Sequence, residues 1–526
     1  MLLSIGMMVK NEEKYLEKCL QGILPILENI NSELIIVDTG STDNTVAIAK
    51  RYTDKVYHHE WTYNFGEMRN KVLSYVQGEW FFFLDGDEIL DDATGVIEFF
   101  KSKKNEKYNA AFITIKNILE ESNHDNYAFF HALRFFRRDK DFCFKGIVHE
   151  QPQAKGPATM IPGVITHYGY LNDDKELMEY KYQRNVELIK KVLEKEPHNI
   201  YHLFQLSLSY SMYGEKKKAL EPILKAYELA KSKGLRQYMY VVGHLAAIYY
   251  LNQLYKEAEN IAMEGIKLKD GYVDLYFYLA MSQTAQGKTE KAINSFHRYL
   301  QLVDKFNKNQ GILDLSVIHT TLHHYEKAYL NLCILYKRIG DYKQALKYAN
   351  LIEKKENIKL VIPHLIDIHI KENKFSLIKE LCNKWLQNKD FLSIVFQSIE
   401  QHRLSMQSEE KKQLSKIFVD FNNLYGLLNR VRNHNSEEDI FGKEIFSRIK
   451  DGEFNNLENY YGDILYYLIK HRLPWLELFH TVKEDRIIGI MIYLLNNHEG
   501  FQNNLLLDLE QRLGAGEITD ENTLRI

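Results

Sequence analysis

Apolar positions along the chain fall into two regimes. Up to about residue 170 they come in short runs that end abruptly in polar clusters. Beyond it they recur at helical spacing in long stretches rich in Lys, Glu, Leu and Tyr. Trp80–Leu84 (WFFFL) organises the first regime: it is too short for a helix, and its aromatics suit a strand buried at the centre of a parallel sheet. Leu2–Val9 (LLSIGMMV) predicts another strand, and Lys10-Asn11-Glu12-Glu13 opens an amphipathic helix with Tyr15, Leu16, Cys19 and Leu20 on one face. Glu33–Val37 (ELIIV) predicts a strand ending at Asp38. A turn over Thr39–Thr45 then caps a helix around Val46–Lys50, and Val56–His58 gives a short third strand. Ala110–Lys116 and Ala132–Arg138 read as later strands, the second leading through Phe142–Val148 to His149-Glu150. Strands alternating with helices in units of about 30 residues predict a parallel α/β sheet.

With 526 residues the chain has room for two or more domains, and 45% apolar against 26% charged residues is the profile of ordinary globular protein. A formal net charge of −3 argues against nucleic acid as the main partner. Cys19, Cys143, Cys333 and Cys382 lie far apart with no C-x-x-C pair, so they read as reduced thiols of a cytoplasmic protein. The N-terminus lacks the basic region and apolar length of a signal peptide, and no apolar window is long enough to span a membrane.

Each predicted strand end carries polar residues: Lys10, Asn11 and Glu12 at the first, Asp38 and Ser41 to Asp43 at the second, Asp85 to Glu88 after WFFFL. Ligands of open α/β sheets bind at the carboxyl ends of strands. Asp85-Gly86-Asp87 can present oxygens to Mg²⁺ or Mn²⁺, which favour carboxylates shared with substrate phosphates. A lone D-x-D is equally a solvated turn; three polar clusters on one sheet edge favour the site.

The series MMVKNEE, IIVDTGSTDNT, WTYNFGEMRN and FFFLDGDE resembles the family-2 glycosyltransferases of the GT-A fold. Within them it is similar to the branch with F-x-x-A-R-N before the D-x-D, in which many bacterial enzymes carry tetratricopeptide (TPR) helices. The resemblance covers about residues 1–170 and implies a Rossmann-like nucleotide-diphospho-sugar transferase domain. On that resemblance Val9, Asn11, Glu12, Ser41 and Gly86 line the nucleotide-sugar site, and Asp38 accepts from the base imide, which favours uracil. Asp43 holds the ribose side or caps its helix. Arg69 faces the diphosphate as a guanidinium fork, or is a surface helix residue. Asn64 and Phe65 read as turn and packing residues, and Met68 stands where the branch usually has Ala.

Asp85 and Asp87 are the implied metal ligands, with His149 and His167 as further candidates for the metal shell. Glu88 orients ligands or starts the next helix. The acceptor half begins after Asn109. There an inverting enzyme needs a base, since one displacement deprotonates the nucleophile as it attacks. Glu150 is the candidate, with Asp87, Glu88 and His149 as rivals; the alternative is that His149-Glu150 merely ends a strand, and His167 equally reads as a structural histidine.

In the second regime, Tyr210, Gly214 and Ala219 align with Tyr249, Gln253 and Ala258, then with Gln283, Gly287 and Ala292, then with Tyr336, Gly340 and Ala345. The Ala recurs at intervals of 39, 34 and 53 residues, the middle one being the TPR period. The chain therefore divides into a GT-A domain (1–172), a connecting helix (173–196), an all-α TPR-like solenoid (197–390) and a helical cap (391–526), with the last dozen residues loose.

Together these readings predict a metal-dependent, inverting transferase that moves a sugar from a UDP-sugar to a peptide or protein side chain. The domain order resembles the bacteriocin S-glycosyltransferases, which modify Cys or Ser of a precursor peptide. Transferases of lipopolysaccharide or capsule and a non-catalytic TPR scaffold are the alternatives. Solenoid faces also make a homodimer an open alternative.

Overall fold

Alternate side chains of Trp80–Asp85 feed two separate cores. Trp80, Phe82 and Leu84 pack with Leu3, Ile5, Met7, Leu16, Cys19 and Leu20, while Phe81 and Phe83 pack with Ile35, Val37, Met68 and Val72. A strand covered on both faces reads as a continuous apolar run, which is why WFFFL shows no alternation. The computed structural model describes residues 1–118, 127–169, 175–308, 317, 319–433 and 440–515. They form two compact units, Met1–Ala328 and Tyr329–Ile526. The expected junction at 172/173 and the loose C-terminal end lie outside the described residues.

The sheet comprises β1 (Leu3–Val9), β2 (Ser32–Asp38), β3 (Val56–His58), β4 (Trp80–Asp85), β5 (Glu88–Leu90), β6 (Ala110–Ile118), β7 (Tyr127–Arg137) and β10 (Ala158–His167). A separate ribbon joins β8 (Phe144–Lys145) to β9 (Gln151–Pro152). The order in the large sheet is β3-β2-β1-β4-β7-β6-β10-β5. The first four strands are parallel, as their sequence predicts. The remainder makes the sheet mixed, because β7 runs antiparallel to both β4 and β6, and β5 antiparallel to β10. Register places Asp85 beside Met8 and Asp38 beside Val9, so three strand ends share one edge at the point where the order reverses. The short β5 turns the chain back so that Glu88 pairs with His167.

Helices α1 (Leu16–Asn29), α2 (Thr45–Ala49), α3 (Phe65–Ser74) and α4 (Thr94–Lys101) pack on this sheet. Asn64 caps α3 by accepting from Glu67 N at 3.0 Å, and Met68 is fully buried beneath the same helix. Glu88 begins β5 rather than a helix; α4 starts only at Thr94, whose N–H and hydroxyl both bond Asp92.

The helical part of the first unit runs through α5 (Lys175–Lys195), α6 (Ile200–Met212), α7 (Leu220–Lys233), α8 (Met239–Leu251), α9 (Tyr255–Leu268), α10 (Val273–Ala285) and α11 (Thr289–Lys308). The aligned turn residues share one geometry. Gly214, Gln253 and Gly287 have φ of 88°, 62° and 72°, and each closes a turn in which the carbonyl four residues before it accepts an N–H one residue after it. This left-handed helix end favours Gly. The aligned Ala219, Ala258 and Ala292 are fully buried, because a larger side chain there would force paired helices apart. In the second unit Gly340 and Ala345 repeat the pattern, and Asn373 (φ 56°) with buried Ile378 extends it once more.

The stacked pair Phe82 and Phe135, with ring centroids 4.2 Å apart, locks β4 against β7. Phe82→Ala is expected to destabilise the first unit by about 3–5 kcal/mol, read as a lower denaturation midpoint by aromatic fluorescence.

Candidate active site

The buried charges around Asp85 set the geometry of the strand ends. Arg69, on α3, donates from Nη1 and Nη2 to the two Asp85 oxygens at 3.2 and 3.4 Å, and from Nε to Glu150. Arg134, on β7, donates to Glu88 and lies 3.9 Å from Asp85. Both guanidinium groups sit over the Phe83 ring, 4.1 and 4.2 Å from its centroid. Burial alone would raise the Asp85 carboxyl, but Arg69 and Arg134 outweigh it and hold it down at about 2. Arg69 is therefore no surface residue. Its fork, expected on the diphosphate, is engaged by Asp85 and Glu150.

Glu88 is fully buried, with one oxygen accepting from Arg134 and the other from the Asp85 backbone N–H at 3.1 Å. It orients Asp85 and Arg134 and has no exposed face from which to act as a base. Arg134 was not among the sequence-derived site residues. A charged residue inside the apolar run ALRFF, in a strand buried by both neighbours, is the signal that points to it.

On the nucleotide side, the loop after β2 folds onto the turn after β1. Asn11, at φ 56°, donates from N to Ser41 Oγ (3.0 Å), and its Oδ1 accepts from Thr42 N (2.8 Å). Asp38 Oδ2 accepts from Gly40 N at 3.1 Å and lies 3.2 Å from His58 Nδ1, while Oδ1 accepts from Ser41 N at 3.1 Å. Burial opposes ionisation of Asp38, yet these bonds more than compensate and lower its pKa. Asp43 accepts from the backbone N–H of Glu13 and of Thr45, the latter closing a turn at the entry to α2, whose N-cap is Asn44. Val9 is buried at the end of β1, and Gly86 is needed because a Cβ there would press on the Glu12 side chain.

Asp87, His167 and Glu12 make the second acidic focus. His167 Nδ1 lies 2.9 Å from Asn117 Oδ1, an acceptor only, so Nε2 faces Asp87 Oδ1 at 3.4 Å. Burial would lower the His167 pKa, but Asp87, Glu88 and Asp85 together raise it. Burial, reinforced by Asp87, pushes Glu12 up to about 8. The resemblance implies a divalent cation. Among the described residues no three His, Cys, Asp or Glu side chains converge as a ligand set. Two donors do fit: a Cβ at Gly169 would press on both Asp87 Oδ2 and His167 Nε2, so the glycine keeps open the space between them. Mg²⁺ is commonly held by one or two protein donors plus substrate phosphates. Asp85 is committed to its arginines instead.

A cavity opens from the same place. Its volume is about 1600 Å³, and it is lined both by Arg69, Asp85, Glu150 and His167 and by residues of α5, α6, α8 and α11. Tyr182, Tyr201, Tyr213 and Tyr240 supply much of the helical wall. Glu150 lies on this cavity, fixed through Arg69. His149 (φ 50°) also lines it; burial brings its pKa down to about 4, and its Nε2 is buried without a partner. The charged and titratable groups that act on this imidazole are Glu150, His202 and Arg184, rather than Asp87 or His167.

Residues 4–156 match the family model for glycosyl transferase family 2. Among curated proteins, the SPbeta prophage-derived glycosyltransferase SunS of Bacillus subtilis is 24% identical over 375 residues, 66% of this chain and 81% of that protein. A TPR repeat-containing protein of Synechococcus elongatus is 29% identical over 182 residues, 32% of this chain and 43% of that protein. The lipopolysaccharide core biosynthesis glycosyltransferase LpsC of Rhizobium meliloti is 35% identical over 95 residues, 17% of this chain and 33% of that protein.

Glu12 makes the site sensitive to pH. Its pKa rises from 4.5 to about 8 on folding, so it has no effect on stability at low pH, and its penalty grows as pH rises through that interval. Glu12→Gln is expected to raise the unfolding temperature in EDTA, with a gain at about pH 8.5 exceeding that at about pH 5, measured by differential scanning calorimetry.

Proposed function

With residues 4–156 a family-2 glycosyltransferase domain, we propose that the enzyme moves a hexose from a UDP-sugar to a Cys, Ser or Thr side chain of a peptide or protein, with inversion at the anomeric carbon. The observation that carries this reading is the cavity. It joins Asp85 and Glu150 to a wall of helical tyrosines, which gives an acceptor lying along the helices a route to the sugar. Tyrosines of this kind offer apolar area and a hydroxyl at low entropic cost, which suits an extended polypeptide.

The uracil reading rests on Asp38, kept ionised by its loop, whose Oδ1 accepts one backbone N–H and has capacity for an imide N–H. Asp87 and His167 would hold a Mg²⁺ or Mn²⁺ ion. That ion supplies neutralisation of the charge that develops on the leaving diphosphate. Asp85 and Arg69 keep the end of β4 rigid beside it. Glu150, held by Arg69 on the cavity wall, takes the proton of a hydroxyl acceptor as it attacks. A thiol acceptor is already a few per cent thiolate at neutral pH and asks less of that base. No helix among the described residues is long and apolar enough to cross a membrane, and the four cysteines are free thiols. Both support a reaction in the cytoplasm.

The test is a panel of UDP- and GDP-sugars incubated with the full chain and Mg²⁺ or Mn²⁺, reading free nucleoside diphosphate. Metal-dependent hydrolysis of one UDP-sugar is expected, falling by about 100-fold or more in Asp87→Ala. No turnover together with no UDP binding overturns the donor assignment.

A further inference from the structure

Lys181 lies beyond the family match, on α5, yet its side chain returns to the strand ends. Its Nζ donates to the carbonyl of Gly169 at 2.8 Å, the residue whose missing Cβ leaves open the space between Asp87 and His167. It lines the cavity together with Asp85 and His167, and its charge acts on both Glu12 and Asp87. The site's arginines are already engaged, Arg69 by Asp85 and Glu150 and Arg134 by Glu88. Lys181 instead has a carbonyl as its hydrogen-bond partner, which uses one of the three donors of an ammonium group.

Helix α5 is fixed where this requires it. Val186, Leu188 and Ile189 are buried with Val148 and Leu206, and Tyr182 packs on the same cluster. The Arg184 guanidinium lies 5.1 Å from the centre of the Phe65 ring, at the start of α3.

We infer that Lys181 binds the diphosphate of the donor, so that the nucleotide-sugar site is completed by the first helix of the helical region. A nucleoside diphosphate brings two to three negative charges to strand ends that already carry Asp85 on the cavity wall and Glu12 and Asp87 within reach of the Lys181 charge. A flexible ammonium that, among the described residues, hydrogen-bonds one carbonyl meets that charge at little cost in reorganisation. The assignment rests on the nucleotide-sugar reading and adds to it that the donor is not held by the family domain alone.

The experiment is calorimetric titration of the full chain with UDP and with uridine, in EDTA and again in Mg²⁺, for the wild type, Lys181→Met and Lys181→Arg. The expected result is tenfold or greater weakening of UDP binding in Lys181→Met, unchanged uridine binding, and recovery of most of the affinity in Lys181→Arg. Unchanged UDP affinity in Lys181→Met overturns the inference, and so does a parallel loss of uridine, which marks a merely structural role. If the wild type prefers GDP to UDP, the uracil reading fails, and the same comparison with GDP and guanosine decides the role of Lys181. Binding of neither nucleotide by the wild type overturns both.

Discussion

The buried ion pairs around Phe83 are the constraint on which the site depends. Asp85 ends β4, Arg69 comes from α3, Arg134 from β7, Glu88 from β5, and Glu150 from the segment that leads into the acceptor side. Five charges from five places meet in a volume where none of the arginines can be left unpaired, because an uncompensated buried charge costs about 3–5 kcal/mol. The pairs therefore hold α3, β4, β5, β7 and the segment of Glu150 in one geometry. Arg69 is the link: it touches Asp85 with one end of its fork and Glu150 with the other. Glu88 works through others, holding the Asp85 backbone and Arg134 without reaching the cavity.

This network also divides labour within Asp85-Gly86-Asp87. Asp85 pairs with the arginines and is held as an anion, while Asp87 pairs with His167. The reversal of chain direction at β5 makes this possible, since antiparallel pairing of β5 with β10 brings Glu88 opposite His167 and so draws His167 to Asp87. Two adjacent acids thus occupy different electrostatic surroundings, one balanced by fixed guanidinium groups and one by an imidazole whose proton a cation can replace.

Much of this was legible in the chain. The strands up to Asp85 announce themselves because each is an apolar run ended by polar residues, and the polar ends converge once the strands are aligned. The helical repeats were legible for the same kind of reason, since Gly214, Gln253, Gly287 and Gly340 all take the left-handed turn that the buried alanines five residues later require. What stayed hidden depends on non-local pairing. β5 has three residues and no period, so the sequence leaves Glu88 open between orienting ligands and starting a helix; the antiparallel course of β7 follows from its partners, not its composition. The fifth repeat escaped notice because Asn373 and Ile378 replace Gly and Ala while keeping the same turn and the same burial. Lys181 was invisible among the lysines of α5, because only docking of that helix distinguishes it.

That docking places α5 both at the strand ends and along the cavity wall. Lys181 points to the strand ends, while Tyr182, Arg184 and Asn185, within the next turn, line the cavity. The helix is held by apolar contacts to Val148, the residue just before His149 and Glu150. A displacement of α5 along its axis would then shift the ammonium at the donor end, the aromatic wall and the backing of the acceptor-side carboxylate together. Side chains on one rigid helix cannot adjust independently. A family domain taken without α5 would keep its strand-end carboxylates and lose one wall of its cavity, so the cavity is built by the sheet and the first helices jointly.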